Sequence, residues 1–218
     1  MSHAAARDNN GAVFTFEQKI RAEQDCIMRF AHKRGLPIYT EKRLAAEITA
    51  NNAYEAHTGG NEHDLFVPRG NELTYILKLT NTPNGYGAKS ALADYLENLV
   101  FSNIIFGDDV HLIALVKPDQ EKAIRVIRLL IAQPFIIGSE ASESHIQEYM
   151  KQLGFLPLGR PHSFMHPCGT KIYDARPANI LEGADGMIFP IDVQIVNGAN
   201  YVHYSLSALL QSRYGRGA

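Results

Sequence analysis

Apolar residues recur at helical spacing near the start of the chain. Four of them fall on roughly one helical face, namely Ile20, Ile27, Phe30 and Ala31. Gly35 and Pro37 follow them, and residues of these two types commonly end a helix. The pattern predicts a helix that ends at Gly35, preceded by a leader at residues 1–13 and followed by a second helix at residues 41–56.

The pattern changes to a period of two after His57. Residues 64–68 and 73–80 are predicted to form a hairpin around a turn at residues 69–72. Alternation places Lys78 on the opposite face of its strand from the leucines. A helix is predicted next, over residues 89–103, with an apolar stripe of Leu92, Leu96, Leu99 and Val100. Two more strands, over residues 110–116 and 124–131, complete one small antiparallel sheet.

Beyond a linker near residues 133–139 the predicted elements are shorter. Asp185-Gly186 is a hairpin-turn sequence, and the apolar strand after it ends at Asp192. A last helix is predicted at residues 205–214. The other elements are a helix over residues 142–153, strands near residues 163–165, 171–173 and 187–191, and a loop over residues 174–179. This mixture of helices and antiparallel strands indicates an α+β fold.

Composition indicates an ordinary globular chain. The 218 residues carry a formal net charge of −2, so no overall field attracts nucleic acid or an anionic membrane. Two cysteines, Cys26 and Cys168, are too few for a secreted domain that depends on disulfides. No stretch reaches the roughly 20 apolar residues that span a bilayer, and residues 1–13 lack the apolar core of a signal peptide. We therefore expect a cytoplasmic protein.

Acidic and amide side chains concentrate between residues 173 and 192. Asp174 and Asn179 are five residues apart, and the hairpin turn would fold the next strand back so that Asp192 meets Asn179 at one end of the hairpin. Such an oxygen-rich cluster suits Mg²⁺, which takes one or two carboxylates plus substrate phosphates. A further carboxylate can accept a proton from an attacking hydroxyl.

Two other interpretations of this region have to be weighed. Asp and Asn are also ordinary turn formers, but Asp192 ends an apolar strand, where an unpaired carboxylate would be costly to bury. We therefore favour a functional role for the cluster. His162 and His166 lie four residues apart near Cys168, but prolines and a glycine make this segment a loop, and zinc sites usually show tighter paired spacing. We therefore do not expect zinc.

The same segment resembles the catalytic and metal loops of the protein-kinase-like fold. Asp174-Ala-Arg-Pro-Ala-Asn179 stands where kinases have D-x-x-x-x-N, and Ile191-Asp-Val-Gln194 stands where they have D-F-G. The resemblance implies that Asp174 is the catalytic base and that Asn179 and Asp192 hold Mg²⁺. Phrases such as Gly-Gly-Asn-Glu-His, Gln-Pro-Phe and Leu-Gly-Phe make residues 55–195 most similar to the kinase-like domain of the polyvalent proteins of phages and conjugative elements.

Upstream segments match the nucleotide-binding parts of that family. A glycine pair stands at the glycine-rich loop, and Tyr75-Ile-Leu-Lys78 resembles the strand whose lysine binds the phosphates. Glu97 lies on the following helix, where kinases pair a glutamate with that lysine, and its neighbours Leu96 and Val100 are expected to be buried. The segment after the sheet matches the hinge that binds adenine. The resemblance thus implies ATP as cofactor, bound by Gly59, Gly60, Lys78, Glu97, Gln133 and Phe135.

The resemblance also implies an architecture in three parts. An N-terminal leader with extra helices occupies residues 1–56, a small antiparallel sheet lobe with one helix occupies residues 57–135, and a reduced C-terminal lobe with the catalytic and metal loops occupies residues 136–218. Only residues 193–218 follow Asp192, which is short for the helical subdomain that holds a peptide substrate.

Departures from the kinase pattern leave three functions open. Ile172-Tyr173 stands in place of His-Arg, and Val193-Gln194 in place of Phe-Gly. The first function is an ATP- and Mg²⁺-dependent phosphotransferase to an alcohol group, whose acceptor and oligomeric state the sequence does not define. The second is a pseudokinase-like protein that binds a nucleotide or a partner without catalysis. The third is an unrelated α+β module whose acidic hairpin only resembles a kinase.

Overall fold

A computed structural model of the chain describes residues 16–58, 62–70, 74–81, 92–119 and 127–196. The described residues up to Leu96 and from His111 to Gln133 form one compact unit, and those from Glu97 to Val110 and from Pro134 onward form another. None of the helices in these ranges is long and apolar enough to cross a membrane. The predicted leader, the pair Gly59-Gly60 and the predicted helix at residues 205–214 lie outside the described residues.

Four α-helices and thirteen strands lie in the described ranges. The helices are α1 (Phe16–Arg34), α2 (Glu41–Asn51), α3 (Leu92–Phe106) and α4 (Glu143–Gln152). The strands are β1 (Ile38–Thr40), β2 (Tyr54–His57), β3 (His63–Pro68), β4 (Tyr75–Thr80), β5 (His111–Lys117), β6 (Arg128–Pro134), β7 (Gly138–Glu140), β8 (Leu156–Pro157), β9 (Phe164–Met165), β10 (Lys171–Tyr173), β11 (Ile180–Gly183), β12 (Ile188–Pro190) and β13 (Gln194–Val196).

The first unit is built on a six-stranded sheet in the order β1-β5-β6-β4-β3-β2. The pairs β2–β3, β3–β4 and β5–β6 are antiparallel, as the sequence pattern predicts for the last two. β1 runs parallel to β5, with Ile38 opposite Leu115, so the expectation of a wholly antiparallel sheet is wrong at this edge. Three residues are too few to display a strand period, which is why the pattern missed β1.

The predicted second helix is too long. α2 ends at Asn51, and Asn52 adopts a left-handed backbone conformation with φ of 44°. Asparagine tolerates this conformation better than most residues, so it closes the helix. The next residues join β2, which pairs with β3. α2 packs against the sheet, because Leu44 is buried in a cluster with Phe66 and Val116.

α3 buries part of the predicted apolar stripe, since Leu92 is buried and Leu96 and Leu99 are half-buried. Val100 is 54% exposed, so the expectation that it is buried beside Glu97 is wrong. The buried positions include residues with polar tips, whose hydroxyl groups find partners: the Tyr95 hydroxyl lies 2.9 Å from Nε2 of His63. The predicted stripe is therefore correct at its first residue, Leu92, and wrong at its last, Val100. The buried residues of α3 are Leu92, Tyr95, Phe101, Ser102, Ile105 and Phe106.

The second unit contains the C-terminal part of α3, α4 and two small antiparallel sheets. The sheets run in the orders β13-β10-β9-β8 and β12-β11-β7. α4 begins as predicted, because the Ser142 side chain accepts a hydrogen bond from the His145 N–H and caps the helix. One apolar core joins these elements, with contributions from Phe101, Ile105, Ile146, Met150, Phe155, Phe164, Ile172, Ile180, Val193 and Ile195.

Candidate functional site

Asp174 and Asn179 are joined by the side chain of Asn179. Its Nδ2 donates to the Asp174 carbonyl at 2.9 Å and to Asp174 Oδ2 at 2.8 Å. Asp174 has a φ of 57°, in the left-handed region that residues with a Cβ adopt at a cost. Asn179 is buried and ends a short 3₁₀ turn that begins at Pro177. The loop is therefore a fixed structure in which the amide orients the carboxylate.

The hairpin of β11 and β12 brings Asp192 to Asn179. Ile180 lies opposite Pro190 in the antiparallel pair. The Asn179 carbonyl accepts the N–H of Ile191 at 2.9 Å and that of Asp192 at 3.4 Å. The predicted meeting of Asn179 and Asp192 at one end of a hairpin is confirmed as geometry.

Asp192 lies at the surface of the second unit. Asp192 is exposed, whereas the next residue, Val193, is buried in the core of the second unit. The argument that burial of an unpaired Asp192 would be costly is therefore wrong, because β12 ends at Pro190 and the chain re-enters the core at Val193, after Asp192. What distinguishes Asp192 is its position next to Asn179.

Arg176 is a charged neighbour that the sequence analysis did not single out. Its Nε lies 3.3 Å from Asp174 Oδ1, and both side chains are about half exposed. An exposed ion pair of this kind contributes little to stability. Its consequence is chemical: a guanidinium two residues from Asp174 places a positive charge beside the carboxylate, where anionic groups of a substrate would also be attracted.

A second loop supports the backbone next to Asp174. The His162 carbonyl accepts the Ala175 N–H at 3.0 Å, and His162 itself has a φ of 53°. The His162 ring lies beside α4, with Nδ1 3.4 Å from Oε1 of Glu143. His162 and Glu143 are nineteen residues apart in the chain, so no local sequence pattern indicated that they are neighbours.

The donor set at this site fits Mg²⁺. Both hydrogen bonds of the Asn179 carboxamide use Nδ2, which leaves Oδ1 as an oxygen donor. Asp192, whose N–H points to the Asn179 carbonyl, adds an exposed carboxylate. Mg²⁺ commonly takes one or two carboxylates together with substrate phosphates and water. One exposed carboxylate and one amide oxygen match that preference.

The residues predicted to bind a nucleotide are spread over both units. Lys78 lies in β4 opposite Leu65 of β3, half-buried in the first unit. Glu97 is exposed on α3 in the second unit. Gln133 is buried at the end of the first unit, and Phe135 is half-buried just beyond it. Their roles stay predictions.

His166 and Cys168 lie in the turn between β9 and β10. The Cys168 N–H donates to His166 Nδ1 at 3.2 Å, and Cys168 Sγ lies 2.9 Å from the same nitrogen. Burial lowers the pKa of His166, which keeps the ring neutral as a hydrogen-bond acceptor. Across the described ranges, no group of three or more His, Cys, Asp or Glu side chains is placed to hold a metal ion.

Comparison with known proteins identifies the family. A family model described as a serine/threonine/tyrosine kinase found in polyvalent proteins matches residues 21–197. No curated protein matches the chain. The match spans both described units and includes the loop of Asp174 and Asn179 and the strand before Asp192. The chain therefore belongs to the family of kinases found in polyvalent proteins, within the kinase-like phosphotransferase superfamily.

Proposed function

We propose that the chain is an ATP- and Mg²⁺-dependent phosphotransferase that acts on a hydroxyl group of its acceptor. The observation that carries the proposal is the meeting of Asp174, Asn179 and Asp192 at one end of a hairpin. These residue types, in this order and geometry, supply a carboxylate for the acceptor and oxygen donors for the cation. Family membership supports the reaction class.

Asp174 is the proposed proton acceptor. The acceptor oxygen attacks the γ-phosphorus of ATP, the bond to the oxygen that bridges the β- and γ-phosphorus atoms breaks, and ADP leaves. The hydroxyl proton passes to the Asp174 carboxylate, which is about half exposed and is oriented by Asn179. Most of the rate enhancement would come from positioning and charge rather than from covalent chemistry.

Arg176 is proposed to bind the transferred phosphoryl group. Its guanidinium is about half exposed and its ion pair with Asp174 lies at the surface, so it can move from Asp174 Oδ1 to a phosphate oxygen when substrates bind. That exchange frees Oδ1 for the acceptor hydroxyl. Arginine suits this role because its planar donor group matches phosphate geometry.

Asn179 and Asp192 are the proposed ligands of Mg²⁺, which would neutralise charge on the phosphate oxygens. The family resemblance supports a nucleotide held through phosphate contacts at Lys78, an ion pair of Glu97 with that lysine, and backbone contacts elsewhere. The proposed nucleotide-binding residues are Gly59, Gly60, Lys78, Glu97, Gln133 and Phe135. The acceptor is not assigned.

A titration of ATP with and without Mg²⁺ tests the proposal. A ligand that binds only the folded state raises the free energy of unfolding by about 2.7 kcal/mol at a hundredfold excess over its Kd. We expect a Mg²⁺-dependent rise in thermal stability of the wild type that is lost in Asp192→Asn. Asp185→Asn is the matched control, because Asp185 is an exposed aspartate in the turn of the same hairpin. A folded wild type that does not respond to Mg²⁺-ATP, or an Asp192→Asn variant that responds like the wild type, contradicts the proposal.

A binding protein without catalysis is the second candidate. The observation that favours it is the ion pair of Arg176 with Asp174 Oδ1, which occupies the carboxylate that catalysis needs. The two candidates differ in turnover. A phosphotransferase releases ADP when ATP, Mg²⁺ and hydroxyl-bearing acceptors are supplied, and Asp174→Asn abolishes that release without weakening nucleotide binding. Mg²⁺-dependent binding with no ADP release in the wild type identifies the binding protein.

A further inference from the structure

Asn98 on α3 contacts the strand that follows Asp192. Its Oδ1 accepts the Ile195 N–H at 2.6 Å, and its Nδ2 donates to the Val193 carbonyl at 3.4 Å. β13 is the edge strand of its sheet and pairs on its other side with β10. An edge strand presents unpaired N–H and C=O groups, and a carboxamide offers one acceptor and one donor group. The Asn98 side chain thus takes the place of a neighbouring strand.

These contacts hold the backbone on both sides of Asp192. Before the carboxylate, the N–H groups of Ile191 and Asp192 point to the Asn179 carbonyl. After it, the Val193 side chain is buried in the core and the Val193 carbonyl is bound by Asn98. The carboxylate itself stays exposed. Because the backbone on both sides of Asp192 is held by hydrogen bonds, the Asp192 carboxylate can occupy few positions before a ligand binds.

We propose that Asn98 is a positioning residue for the metal site. By fixing β13, it holds Asp192 beside Asn179 before a cation arrives, so that binding does not have to order this segment. This inference rests on the proposed function, because it assigns Asp192 to a cation. Asn98 acts through Asp192 and the strand, and the partners of its carboxamide are backbone groups. Preorganised ligands bind more tightly because the cost of ordering is already met in the free protein.

The same helix supplies a matched control. Asn103 makes the same type of double contact, since its Nδ2 donates to the Val110 carbonyl at 2.8 Å and its Oδ1 accepts the Val110 N–H at 2.7 Å. Both asparagines lie on α3 in the second unit and are half-buried. Asn103→Ala and Asn98→Ala each remove two hydrogen bonds to backbone groups, but Asn103 bonds the segment that leads into β5.

The test is a Mg²⁺ titration at a fixed ATP concentration, followed by thermal stability. We expect Asn98→Ala to raise the Mg²⁺ concentration for half-maximal stabilisation by about tenfold, the lower end of the effect of removing a group that orients a metal ligand. Asn103→Ala is expected to lower the melting temperature, as Asn98→Ala does, but to leave the Mg²⁺ concentration for half-maximal stabilisation unchanged. Asn98→Asp keeps the acceptor for the Ile195 N–H and is expected to recover part of the lost Mg²⁺ affinity.

A second readout does not depend on a nucleotide. Amide hydrogen exchange in β13 is expected to be faster in Asn98→Ala than in the wild type or in Asn103→Ala, because the Ile195 N–H loses its acceptor. Unchanged exchange in β13, or equal Mg²⁺ dependence in Asn98→Ala and Asn103→Ala, overturns the inference while leaving the proposed function intact. A wild type without any Mg²⁺-dependent response overturns the proposed function, and the metal-positioning role of Asn98 with it, even where exchange in β13 is faster in Asn98→Ala.

Discussion

The left-handed backbone of Asp174 depends on one neighbouring carboxamide. Asn179 is the donor to both the carbonyl and the carboxylate of Asp174. A hydrogen bond to a charged group contributes about 1.5–3 kcal/mol, so this contact offsets the cost of the left-handed φ of Asp174. The geometry of the candidate catalytic carboxylate is therefore set by a residue that is also a proposed metal ligand.

Replacement of Asn179 by aspartate tests this arrangement at neutral pH. The new carboxylate would lie where Nδ2 now sits 2.8 Å from Asp174 Oδ2, so repulsion replaces a hydrogen bond. We expect Asn179→Asp to lower the free energy of unfolding by about 2 kcal/mol or more, and by more than Asn179→Ala does. Urea denaturation at neutral and acidic pH measures both variants.

Acid is expected to narrow the difference between these two variants. In Asn179→Asp the introduced carboxyl group faces that of Asp174, and when one of the two takes up a proton it can donate a hydrogen bond to the other. The free energy of unfolding of Asn179→Asp is therefore expected to approach that of Asn179→Ala as the pH falls. A difference that does not change with pH would mean that the two carboxyl groups do not face each other.

At the level of secondary-structure elements, Arg128 joins four segments of the first unit. Its guanidinium donates to Glu41 at the start of α2, to Asp64 in β3 and to Asn81 after β4, and its Nε donates to the Thr80 carbonyl at 2.7 Å. The side chains of Arg128 and Asp64 are only 14% and 15% exposed. The largely buried charge of Arg128 is tolerated because its N–H groups donate to two carboxylates, one amide oxygen and one carbonyl oxygen.

Removal of this guanidinium is expected to destabilise the sheet strongly. Arg128→Ala removes the guanidinium that donates to Asp64 in a largely buried place, and breaking a buried ion pair costs about 3–5 kcal/mol. Arg43→Ala is the control, because the Arg43–Glu47 pair on α2 is largely exposed and should contribute less than about 1 kcal/mol. Chemical denaturation of the two variants gives the comparison. Equal losses of stability would show that the Arg128 network contributes no more than a surface ion pair.

At the level of the whole molecule, stability is expected to depend on pH through His166. Burial lowers the pKa of His166 below the 6.5 of an exposed histidine. Between these two values the unfolded chain binds more protons than the folded one, so the free energy of unfolding rises with pH and falls as the pH drops below about 6.5. Protonation would also remove the acceptor for the Cys168 N–H.

The pH dependence of unfolding checks this expectation. We expect the stability difference between the wild type and His166→Phe to be constant above about pH 7.5 and to shrink as the pH falls below about 6.5, because phenylalanine cannot take up the proton. Urea denaturation at a series of pH values measures the difference. A difference that stays constant across this range would mean that His166 titrates alike in the folded and unfolded chains.

Long elements with local signals were predictable from the sequence. α1 ends at the predicted position, α4 begins where the helix was predicted to begin, and the β3–β4 and β11–β12 hairpins follow their turn residues. Strands of two or three residues were predictable only in part. β9 and β10 lie where the sequence pattern predicted strands, but β1, β7, β8 and β13 were missed, and the partners of most of these four lie far along the chain. A strand of that length is stabilised by its neighbours rather than by its own pattern.

The sequence by itself determined that Asp174, Asn179 and Asp192 lie near one another, because a short loop and one tight hairpin separate them. Only the tertiary structure decided which groups hold them in place. Asn98 accepts the N–H of Ile195, ninety-seven residues further along the chain, in the strand after Asp192. The His162 carbonyl accepts the N–H of Ala175. Side chains that satisfy backbone groups of distant segments follow no local period. Their positions are set by packing of the core, which fixes where each backbone donor and acceptor faces.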